Sequence, residues 1–590
     1  MITIRQFKPN YFYHDTTQTD MYERQLIRNI SVQYSVKGVI ITPSYHLLEA
    51  ITKYKKCNVP YQVERSVYDE YADWHKEIKR RLAIQQQKSI DPSLVLVDKF
   101  KQPLYPYQCV GIQYLLETKR ALLLDQVGLG KTPIYIGVIH FLLQKNLIKD
   151  ALVLCPAHLK FQIADEFYKF TDIKPIVIDQ SQGLPCTYNY WHKFKRNNIQ
   201  CQGCNQYHVC STYATTRYAQ KRRNILENHE GVIIVNYEIM RIDNEVFTNR
   251  KWGIIITDEL SRCKGFNRTT KVFNKLQSEY FVGVSATVLE NRPEDLWNAM
   301  HQVNSDILGT KTNFKQTHIV IEPPYWTVKG YRKLDLLRRK LKPFVLRRTI
   351  ASLDNLPETP EYQNYFVELL PKQRLLYNAI VNRAKPVMGG WATMQLLGCL
   401  TFLREICDHA ILVNNTIDES AKLDLLKELL PEITTQCVIF TEWVEMAIIL
   451  HETLKDSDII YGMRTKTGQS MSSKAKDTRI HDFQQGKFKF LIASDCIKEG
   501  VNLTNAQHLI NFDLPWNPAK AQQRIGRLRW HRQHGVQCKV WNFLTLDTVE
   551  ERVRQVLNEK AQLARDIIGA LSILPTTKEN LIDLIKNSEN

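Results

Sequence analysis

The sequence predicts an α/β protein with two tandem lobes, each a parallel β-sheet flanked by helices, and a small α+β accessory domain at the N-terminus. Short apolar runs recur between amphipathic stretches from about residue 100 onward. Alternation of this kind is typical of parallel sheets covered by helices on both faces. The length of 590 residues is sufficient for three or four domains of about 100–200 residues each.

Two series of apolar runs predict the strands of the two lobes. The first series is ALLLD (121–125), ALVLC (151–155), GVIIV (231–235), IIIT (254–257) and FVGVSA (281–286). The second series is CVIF (437–440), FLIAS (490–494), HLINF (508–512) and VWNFL (540–544). A charged, helix-like region around 331–430 separates the series. We therefore predict a first lobe over 99–350, a second lobe over 351–565 and a C-terminal tail over 566–590.

Residues 1–98 differ in pattern from the two lobes. The segment VKGVIITPSYHLLEAITKY (36–54) predicts a pair of strands followed by a helix. The segment KEIKRRLAIQQQK (76–88) predicts a basic helix that leads into the first lobe. These features indicate a small accessory domain.

The composition is that of a globular protein, with 44% hydrophobic and 24% charged residues. Disordered and fibrous classes are therefore disfavoured. No apolar run reaches the ~18 residues of a membrane span, and the N-terminus lacks the apolar core of a secretory signal. We expect a soluble, cytoplasmic protein of a prokaryotic cell or a virus-infected host, without a membrane partner.

The net charge of +18, from 79 basic and 61 acidic residues, indicates a polyanionic partner. A basic surface gains affinity for nucleic acid by releasing counterions from the phosphates. Simple solubility is the alternative explanation of the charge.

The strongest motif is a glycine-rich loop between a predicted strand and a predicted helix. It reads Asp125-Gln-Val-Gly128-Leu-Gly130-Lys131-Thr132. Backbone N–H groups of such a loop bind phosphates, and we expect Lys131 to reach the β- and γ-phosphates and Thr132 to ligate Mg²⁺. Asp125 stands where the strict motif has glycine. The alternative is a glycine-rich turn that caps a helix.

Two further groups of residues have the chemistry of a nucleotide hydrolase. Asp258 and Glu259 follow an apolar strand, and we expect Asp258 to hold Mg²⁺ and Glu259 to polarise the attacking water. Arg524 and Arg527 lie three residues apart on one predicted helix face and could reach a γ-phosphate. A solvated basic helix or a nucleic-acid contact are the alternatives for this pair.

A cysteine-rich insertion over 180–215 predicts structural zinc. A CxxC pair with further Cys and His residues nearby suits tetrahedral Zn²⁺. The alternative is a loop of reduced cysteines. The predicted ligands are Cys186, Cys201, Cys204 and Cys210, with His208 or His192 as substitutes.

Additional segments follow one another in an order that identifies a family. They include Leu104-Tyr-Pro-Tyr107-Gln108, Ser285-Ala-Thr287, Phe344-Val-Leu-Arg347-Arg348, Leu403-Arg-Glu-Ile-Cys-Asp-His409, Phe440-Thr441-Glu442-Trp443, Glu499-Gly500-Val-Asn502 and Asp513-Leu-Pro-Trp516-Asn517. Together with the phosphate loop and the Asp-Glu pair, they resemble the Swi/Snf-type ATPases of helicase superfamily II over roughly 100–560.

The resemblance implies two RecA-like lobes that bind ATP and Mg²⁺ and form a DNA-dependent ATPase. Residues of both lobes would surround ATP, with Arg524 and Arg527 acting on the transition state. The residues that the resemblance assigns to nucleotide binding are Gln108, Asp125, Gly128, Gly130, Lys131, Thr132, Gly500 and Gln523.

The resemblance also implies movement along duplex DNA and sequence-independent remodelling of branched DNA or protein–DNA complexes, in replication, repair or recombination. Displacement of a DNA-bound protein such as a polymerase is an alternative, and so is RNA as the track, which the resemblance favours less than DNA. The accessory domain weakly resembles the HARP-type domains of annealing helicases. An alternative is a nucleotide-gated DNA-binding switch with little turnover, because Ser261 replaces the family's His and Gln126 replaces an acidic residue.

The family resemblance also indicates where DNA binds. Segments that border the strand-binding groove contain Pro156-Ala157-His158, Asn236-Tyr237, Thr441 and Trp516. Ordinary packing is the alternative for Tyr237 and Trp516. The basic stretch over 332–342 could contact the DNA backbone or could be a solvated helix face.

Overall fold

A computed structural model of the chain defines two compact units. The first unit comprises Met1–Asp125, Gly130–Val288 and Pro293–Arg347, and the second comprises Gln126–Leu129, Leu289–Arg292 and Arg348–Asn590. The structure describes residues 2–8, 11–15, 34–36, 39–43, 61–96, 100–157, 159–178, 222–263, 267–285, 293–322, 327–349, 352–353, 360–384, 393–462, 471, 473–494, 503, 505–515, 518–528 and 538–551. Every helix within these ranges is too short or too polar to cross a bilayer.

The first unit begins with a small sheet and a long helix. In the described residues the sheet has five strands in the order β3-β4-β2-β1-β5, antiparallel except for the β1–β5 pair. The helix α1 follows β5; it begins 11 residues before the predicted basic helix (76–88) and ends two residues before that prediction does. The bounds are β1 Ile2–Lys8, β2 Tyr11–Asp15, β3 Tyr34–Val36, β4 Val39–Pro43, β5 Tyr61–Val63 and α1 Arg65–Gln86.

A parallel sheet forms the core of the first unit, as the sequence predicts. Its described strands lie in the order β14-β6-β11-β10-β7-β9-β8, and a separate antiparallel hairpin pairs β12 with β13. Runs of apolar residues form the central strands β6, β7, β9 and β10, because the side chains on both faces of these strands are largely buried. The bounds are β6 Arg120–Leu123, β7 Asp150–Cys155, β8 Ile176–Val177, β9 Gly231–Asn236, β10 Lys251–Asp258, β11 Gln277–Val284, β12 Ile319–Glu322, β13 Thr327–Tyr331 and β14 Val345–Leu346.

Helices flank this sheet, and two of them pack closely at the phosphate loop. The helix α3 has Gly137 where a Cβ atom would lie 2.4 Å from Cδ1 of Ile112 on α2. Glycine therefore allows the close approach of α2 and α3. The bounds are α2 Pro106–Thr118, α3 Lys131–Gln144, α4 Lys160–Phe170, α5 Tyr237–Ile242, α6 Asn244–Asn249, α7 Arg268–Phe273, α8 Pro293–Val303, α9 Lys311–His318 and α10 Leu334–Leu341.

The second unit contains a second parallel sheet, again as predicted. Its described strands lie in the order β15-β20-β19-β16-β18-β17. The strands are β15 Glu361–Val367, β16 Cys437–Thr441, β17 Ser457–Ile460, β18 Phe490–Ser494, β19 His508–Asn511 and β20 Lys539–Thr545. The helices are α11 Pro371–Ala384, α12 Thr393–Asp408, α13 Ala421–Leu429, α14 Val444–Thr453, α15 Ser473–Gln484 and α16 Pro518–Gly526.

A buried ion cluster joins three segments of the second unit. Nζ of Lys422 on α13 lies 2.8 Å from Oδ1 of Asp408 on α12 and 2.6 Å from Oε1 of Glu550, and it donates to the carbonyl of Phe512. The side chains of Lys422 and Asp408 have no exposed surface, and that of Glu550 is 5% exposed. Burial raises the pKa of the Asp408 carboxyl well above its usual range, and the charge of Lys422 opposes that rise. Lys422 is thus the ion-pair partner that both carboxylates share, and Glu550 also accepts hydrogen bonds from the backbone N–H and the hydroxyl of Thr545.

We predict that Lys422→Met destabilises the second unit by about 3–5 kcal/mol, since removal of one partner leaves buried charge unpaired. Urea denaturation of the full chain measures the change. The matched control is Lys427→Met on the same helix, because the Lys427 side chain is 52% exposed and its substitution should cost less than about 0.5 kcal/mol. Equal unfolding free energies for the two variants would contradict this view of the cluster.

Candidate active site

The phosphate loop connects β6 to α3 and has a backbone that requires glycine. Gly128 and Gly130 have φ angles of 95° and 67°, in the left-handed region. A Cβ atom on Gly130 would lie 2.6 Å from Nε2 of Gln108. That amide nitrogen donates to the carbonyl of Gly130 at 3.2 Å. The glutamine that the sequence assigns to nucleotide binding thus lies against the loop.

Lys131 is the first residue of α3, and its ammonium group lies on the loop. Its Nζ donates to the backbone carbonyl of Asp125 at 2.8 Å. Burial lowers the pKa of Lys131, and the carboxylates of Asp125, Asp258 and Glu259 oppose the decrease. The cation predicted to reach the phosphates therefore lies in the field of all three predicted acidic residues.

The Asp-Glu pair lies at the carboxyl end of β10, beside the loop. Oδ1 of Asp258 accepts from the backbone N–H of Glu259 at 3.0 Å, and Oδ2 accepts from the hydroxyl of Tyr135 at 3.3 Å. Burial raises the pKa of Asp258 to about 6, the charge of Glu259 adds to the rise, and Lys131 opposes it. Glu259 has a φ angle of 57°, which is rare for a residue with a side chain. This backbone conformation is consistent with a functional position.

Ser285 links the Asp-Glu pair to the neighbouring strand. Its hydroxyl lies 3.4 Å from Oε1 of Glu259, at the carboxyl end of β11. The sequence places Ser285 in a separate motif from Glu259. The structure brings the two side chains within hydrogen-bond distance.

Two tyrosines contact Asp258, and neither contact is predicted from the sequence. The hydroxyl of Tyr237 donates to the backbone carbonyl of Asp258 at 2.7 Å, whereas the hydroxyl of Tyr135 contacts the carboxylate and also has Thr132 as a hydrogen-bond neighbour. Tyr135 is four residues after Lys131 on α3 and therefore lies on the same helix face. That spacing is the signal in the sequence that could have identified it.

The residues at this edge fit a bound Mg²⁺ ion. Mg²⁺ prefers oxygen ligands, and proteins usually hold it through one or two carboxylates together with phosphates and waters. Burial disfavours the ionised form of the Asp258 carboxyl and thereby raises its pKa. A cation bound beside this carboxyl would stabilise the ionised form. Among the described residues, no group of three or more His, Cys, Asp and Glu side chains is placed to hold a metal ion.

Arg347 adds a second cation beside the loop. It directly follows β14, which pairs in parallel with β6, so Arg347 and Asp125 lie at the same edge of the sheet. Burial lowers the pKa of Arg347 to about 10, and the charge of Asp125 opposes the decrease. Arg347 belongs to the segment over 344–348, which only the family resemblance singles out in the sequence. This segment therefore contributes to the electrostatics of the phosphate loop.

In the second unit, Arg524 lies buried at the carboxyl edge of the sheet with 2% exposure. Its Nη1 donates to Oδ1 of Asn511 at 3.0 Å and to the carbonyl of Asp513 at 2.9 Å. Asn511 in turn donates to Asn542 at 2.8 Å, and Asn542 donates to Asn364 at 3.0 Å. A row of asparagines on β19, β20 and β15 thus ends on the guanidinium group.

Two other predicted residues of the second unit, Gln523 and Arg527, are more exposed than Arg524. Gln523 and Arg527 are half-buried on or just after α16, so their side chains have open surface that Arg524 lacks. Gly500 lies outside the described residues. So do Thr287 and the predicted zinc ligands with their substitutes, Cys186, His192, Cys201, Cys204, His208 and Cys210. The zinc site stays a prediction.

We predict that Arg524→Ala lowers the unfolding free energy of the second unit by about 3–5 kcal/mol, because Asn511 and Asp513 lose a buried charged donor. Arg527→Ala should cost less than about 1 kcal/mol, because Arg527 is only half-buried. Denaturant unfolding of both variants checks this order. The reverse order would show that the bonds of Arg524 are dispensable for the fold.

Comparison with known families agrees with this geometry. Residues 107–412 match the SNF2-related domain, which is more than half of the chain. Residues 421–531 match the helicase conserved C-terminal domain. The chain belongs to the SNF2 family. The predicted resemblance to Swi/Snf-type ATPases is therefore confirmed.

Relatives within the SNF2 family include bacterial and eukaryotic proteins. The putative ATP-dependent helicase/translocase YwqA of Bacillus subtilis is 26% identical over 501 residues, which cover 80% of this chain and 49% of that protein. The DNA repair and recombination protein RAD54 of Saccharomyces cerevisiae is 24% identical over 522 residues, covering 79% of this chain and 55% of that protein. The chain therefore spans about half the length of these two relatives.

A solved structure of the SNF2 family is also similar to the chain. It is the SWI2/SNF2 ATPase core of Sulfolobus solfataricus in complex with dsDNA, with 24% sequence identity and a TM-score of 0.37. The match covers 80% of this chain and 95% of that one.

Proposed function

We propose that the chain is an ATP-dependent DNA translocase that hydrolyses ATP when it binds DNA. The observation that supports this best is the convergence of Lys131, Asp258 and Glu259 at one edge of the first parallel sheet. A phosphate-binding cation, a ligand for Mg²⁺ and a candidate general base are the groups that phosphoryl transfer to water requires. Membership of the SNF2 family supports the same activity.

In this proposal the loop binds the phosphates of ATP and orients them. The backbone N–H groups at the start of α3 face the phosphates, and Lys131 exchanges its bond to the Asp125 carbonyl for phosphate oxygens. Thr132 and Asp258 would hold Mg²⁺, which neutralises charge on the β- and γ-phosphates when bound. Tyr135 keeps one oxygen of Asp258 in place through its hydroxyl.

Glu259 acts on the attacking water. Its carboxylate accepts a proton as the water oxygen bonds to the γ-phosphorus and the bond to the leaving β-phosphate oxygen breaks. Ser285 positions Oε1 of Glu259 through its hydroxyl. Arg527 stabilises the charge that develops on the transferred phosphate. We assign Arg524 chiefly to holding α16, because its guanidinium is buried and bonded to Asn511 and Asp513.

DNA is the proposed track and branched DNA the proposed target. The net charge of +18 suits a phosphate backbone, and the names of the relatives from Bacillus and yeast refer to translocation and to DNA repair and recombination. We therefore propose remodelling of branched DNA or of protein–DNA complexes in replication, repair or recombination. Displacement of a DNA-bound protein, RNA as the track and a nucleotide-gated switch remain the alternative hypotheses.

We predict that Glu259→Gln lowers DNA-stimulated ATP turnover by about 100-fold or more, because the amide cannot accept the proton of the attacking water. Lys131→Ala should abolish turnover by removing the phosphate-binding cation. Both variants should bind DNA with nearly the affinity of the unsubstituted protein. Steady-state phosphate release and DNA-binding titrations measure the two properties.

The control for the glutamate variant is Glu245→Gln, an exposed residue on α6 of the same unit. It should leave turnover unchanged. Full DNA-stimulated turnover in folded Glu259→Gln would show that another group is the base.

A further inference from the structure

Two segments of the first unit hold half of the net charge of the chain. Residues 76–88 contain five basic and one acidic residue, a net charge of +4. Residues 332–342 contain six basic residues and one acidic residue, a net charge of +5. Together they account for +9 of the total of +18.

The fold brings these segments together although they are far apart in the sequence. Nε2 of Gln85, in the last turn of α1, donates to the carbonyl of Lys342 at 2.8 Å and to that of Val345 at 3.3 Å. The guanidinium of Arg81 lies 5.1 Å from the ring centroid of Phe344. The basic end of α1 therefore lies beside the end of α10.

Packing directs the charged side chains of both helices to solvent. Ile78 and Ile84 of α1, and Leu337 and Leu341 of α10, are buried. These apolar side chains are thus packed in the interior, and many of the basic side chains of the two segments are exposed to solvent. We call the following exposed residues the basic surface: Lys76, Lys79, Arg80, Arg338, Arg339 and Lys342.

Acidic neighbours neutralise only part of this charge. Glu77 pairs with Arg81, and Glu117 pairs with Arg80 at 2.6 Å. Asp335 is the one acidic residue within 332–342. The basic surface keeps a net positive charge after these pairs are counted.

We infer that the basic surface binds the phosphate backbone of DNA as a contact separate from the ATP motifs. This inference rests on the proposed function, since it concerns the same DNA. Lys and Arg side chains that neutralise phosphates gain affinity by counterion release, without reading the base sequence. The surface would retain DNA on the first unit.

The composition of the surface favours a nucleic acid over a lipid bilayer. Helices that bind bilayers insert large apolar side chains beside their basic residues. Within 76–88 and 332–342, all of which the structure describes, no large apolar side chain is exposed. A nucleic acid, which presents phosphates without an apolar layer behind them, fits this surface better than a bilayer.

The test compares two variants of the full chain with equal changes of charge. The surface variant is Lys76→Gln, Lys79→Gln, Arg338→Gln and Arg339→Gln. The control variant replaces exposed lysines elsewhere in the same unit: Lys145→Gln, Lys251→Gln, Lys271→Gln and Lys275→Gln. Fluorescence anisotropy with labelled duplex DNA gives the dissociation constant without nucleotide at several salt concentrations. Anionic phosphatidylserine vesicles serve as a second probe.

The surface variant should bind duplex DNA at least ~10-fold more weakly at low salt. Its slope of log affinity against log salt should fall by about 0.9 for each DNA phosphate that the variant no longer neutralises. The control variant should keep the slope of the unsubstituted protein. ATP hydrolysis without DNA should be the same in all three proteins, which shows that the site and the fold are intact.

Equal slopes for the surface and control variants would overturn the inference while leaving the proposed function in place. Loss of vesicle binding with DNA binding unchanged would overturn it in favour of a membrane partner. Failure of the unsubstituted protein to bind DNA would count against the proposed function itself. The three results are distinguishable in one set of titrations.

Discussion

The in-register pairing of three parallel strands is the constraint on which the candidate active site depends. Val284 of β11 pairs with Leu123 of β6 on one side and with Asp258 of β10 on the other. Because neighbouring strands lie ~4.8 Å apart, Leu123 and Asp258 lie about 10 Å apart, and the residues that follow all three positions start from the same edge of the sheet. A slip of one residue in either pairing would turn these side chains to the opposite face of the sheet. The phosphate loop, the Asp-Glu pair and Ser285 meet for this reason.

Both units contain buried charged groups that lie close to groups of opposite charge or to strong acceptors. In the first unit the ammonium group of Lys131 lies in the field of the carboxylates of Asp125, Asp258 and Glu259. In the second unit Lys422 and Arg524 are bonded to partners within the unit itself. Removal of a partner from such a group is costly because a buried charge then lacks compensation. We therefore expect substitutions at Lys422 and Arg524 to act through stability and those at Glu259 to act through chemistry.

Much of the fold could be predicted from the sequence because the central strands are continuous apolar runs. Each of the nine predicted runs contains or overlaps a strand of the structure. The edge strands β14 and β15 are not predicted from the sequence, for physical reasons. The strand β14 has only two residues, and β15 (EYQNYFV) is not a continuous apolar run: one of its faces is exposed and the other is only half-buried. Neither pattern differs enough from a loop or an exposed segment to be recognised.

The candidate site was predictable as far as its motifs are local. The loop and the Asp-Glu pair are identified by their local pattern and Gln108 by the family resemblance, and the structure places all of them in the first unit, with Gln108 against the loop. Arg347 and Tyr135 were not assigned to the site, because their positions beside Asp125 and Asp258 depend on strand order and helix packing. Spacing also made Arg524 and Arg527 equivalent, whereas burial separates them. The contact between Gln85 of α1 and Lys342 joins two residues that are 257 positions apart in the sequence. No local pattern in the sequence predicts it.

The central claim is that this SNF2-family chain couples ATP hydrolysis to DNA. The most direct measurement is steady-state ATP hydrolysis by the purified protein, compared without nucleic acid and with single-stranded DNA, duplex DNA, forked DNA and RNA. Our account predicts weak hydrolysis alone and strong stimulation by duplex or forked DNA, with the fork preferred if branched DNA is the target. Preserved ATP binding without turnover on any of these nucleic acids would contradict the account and favour a nucleotide-gated switch.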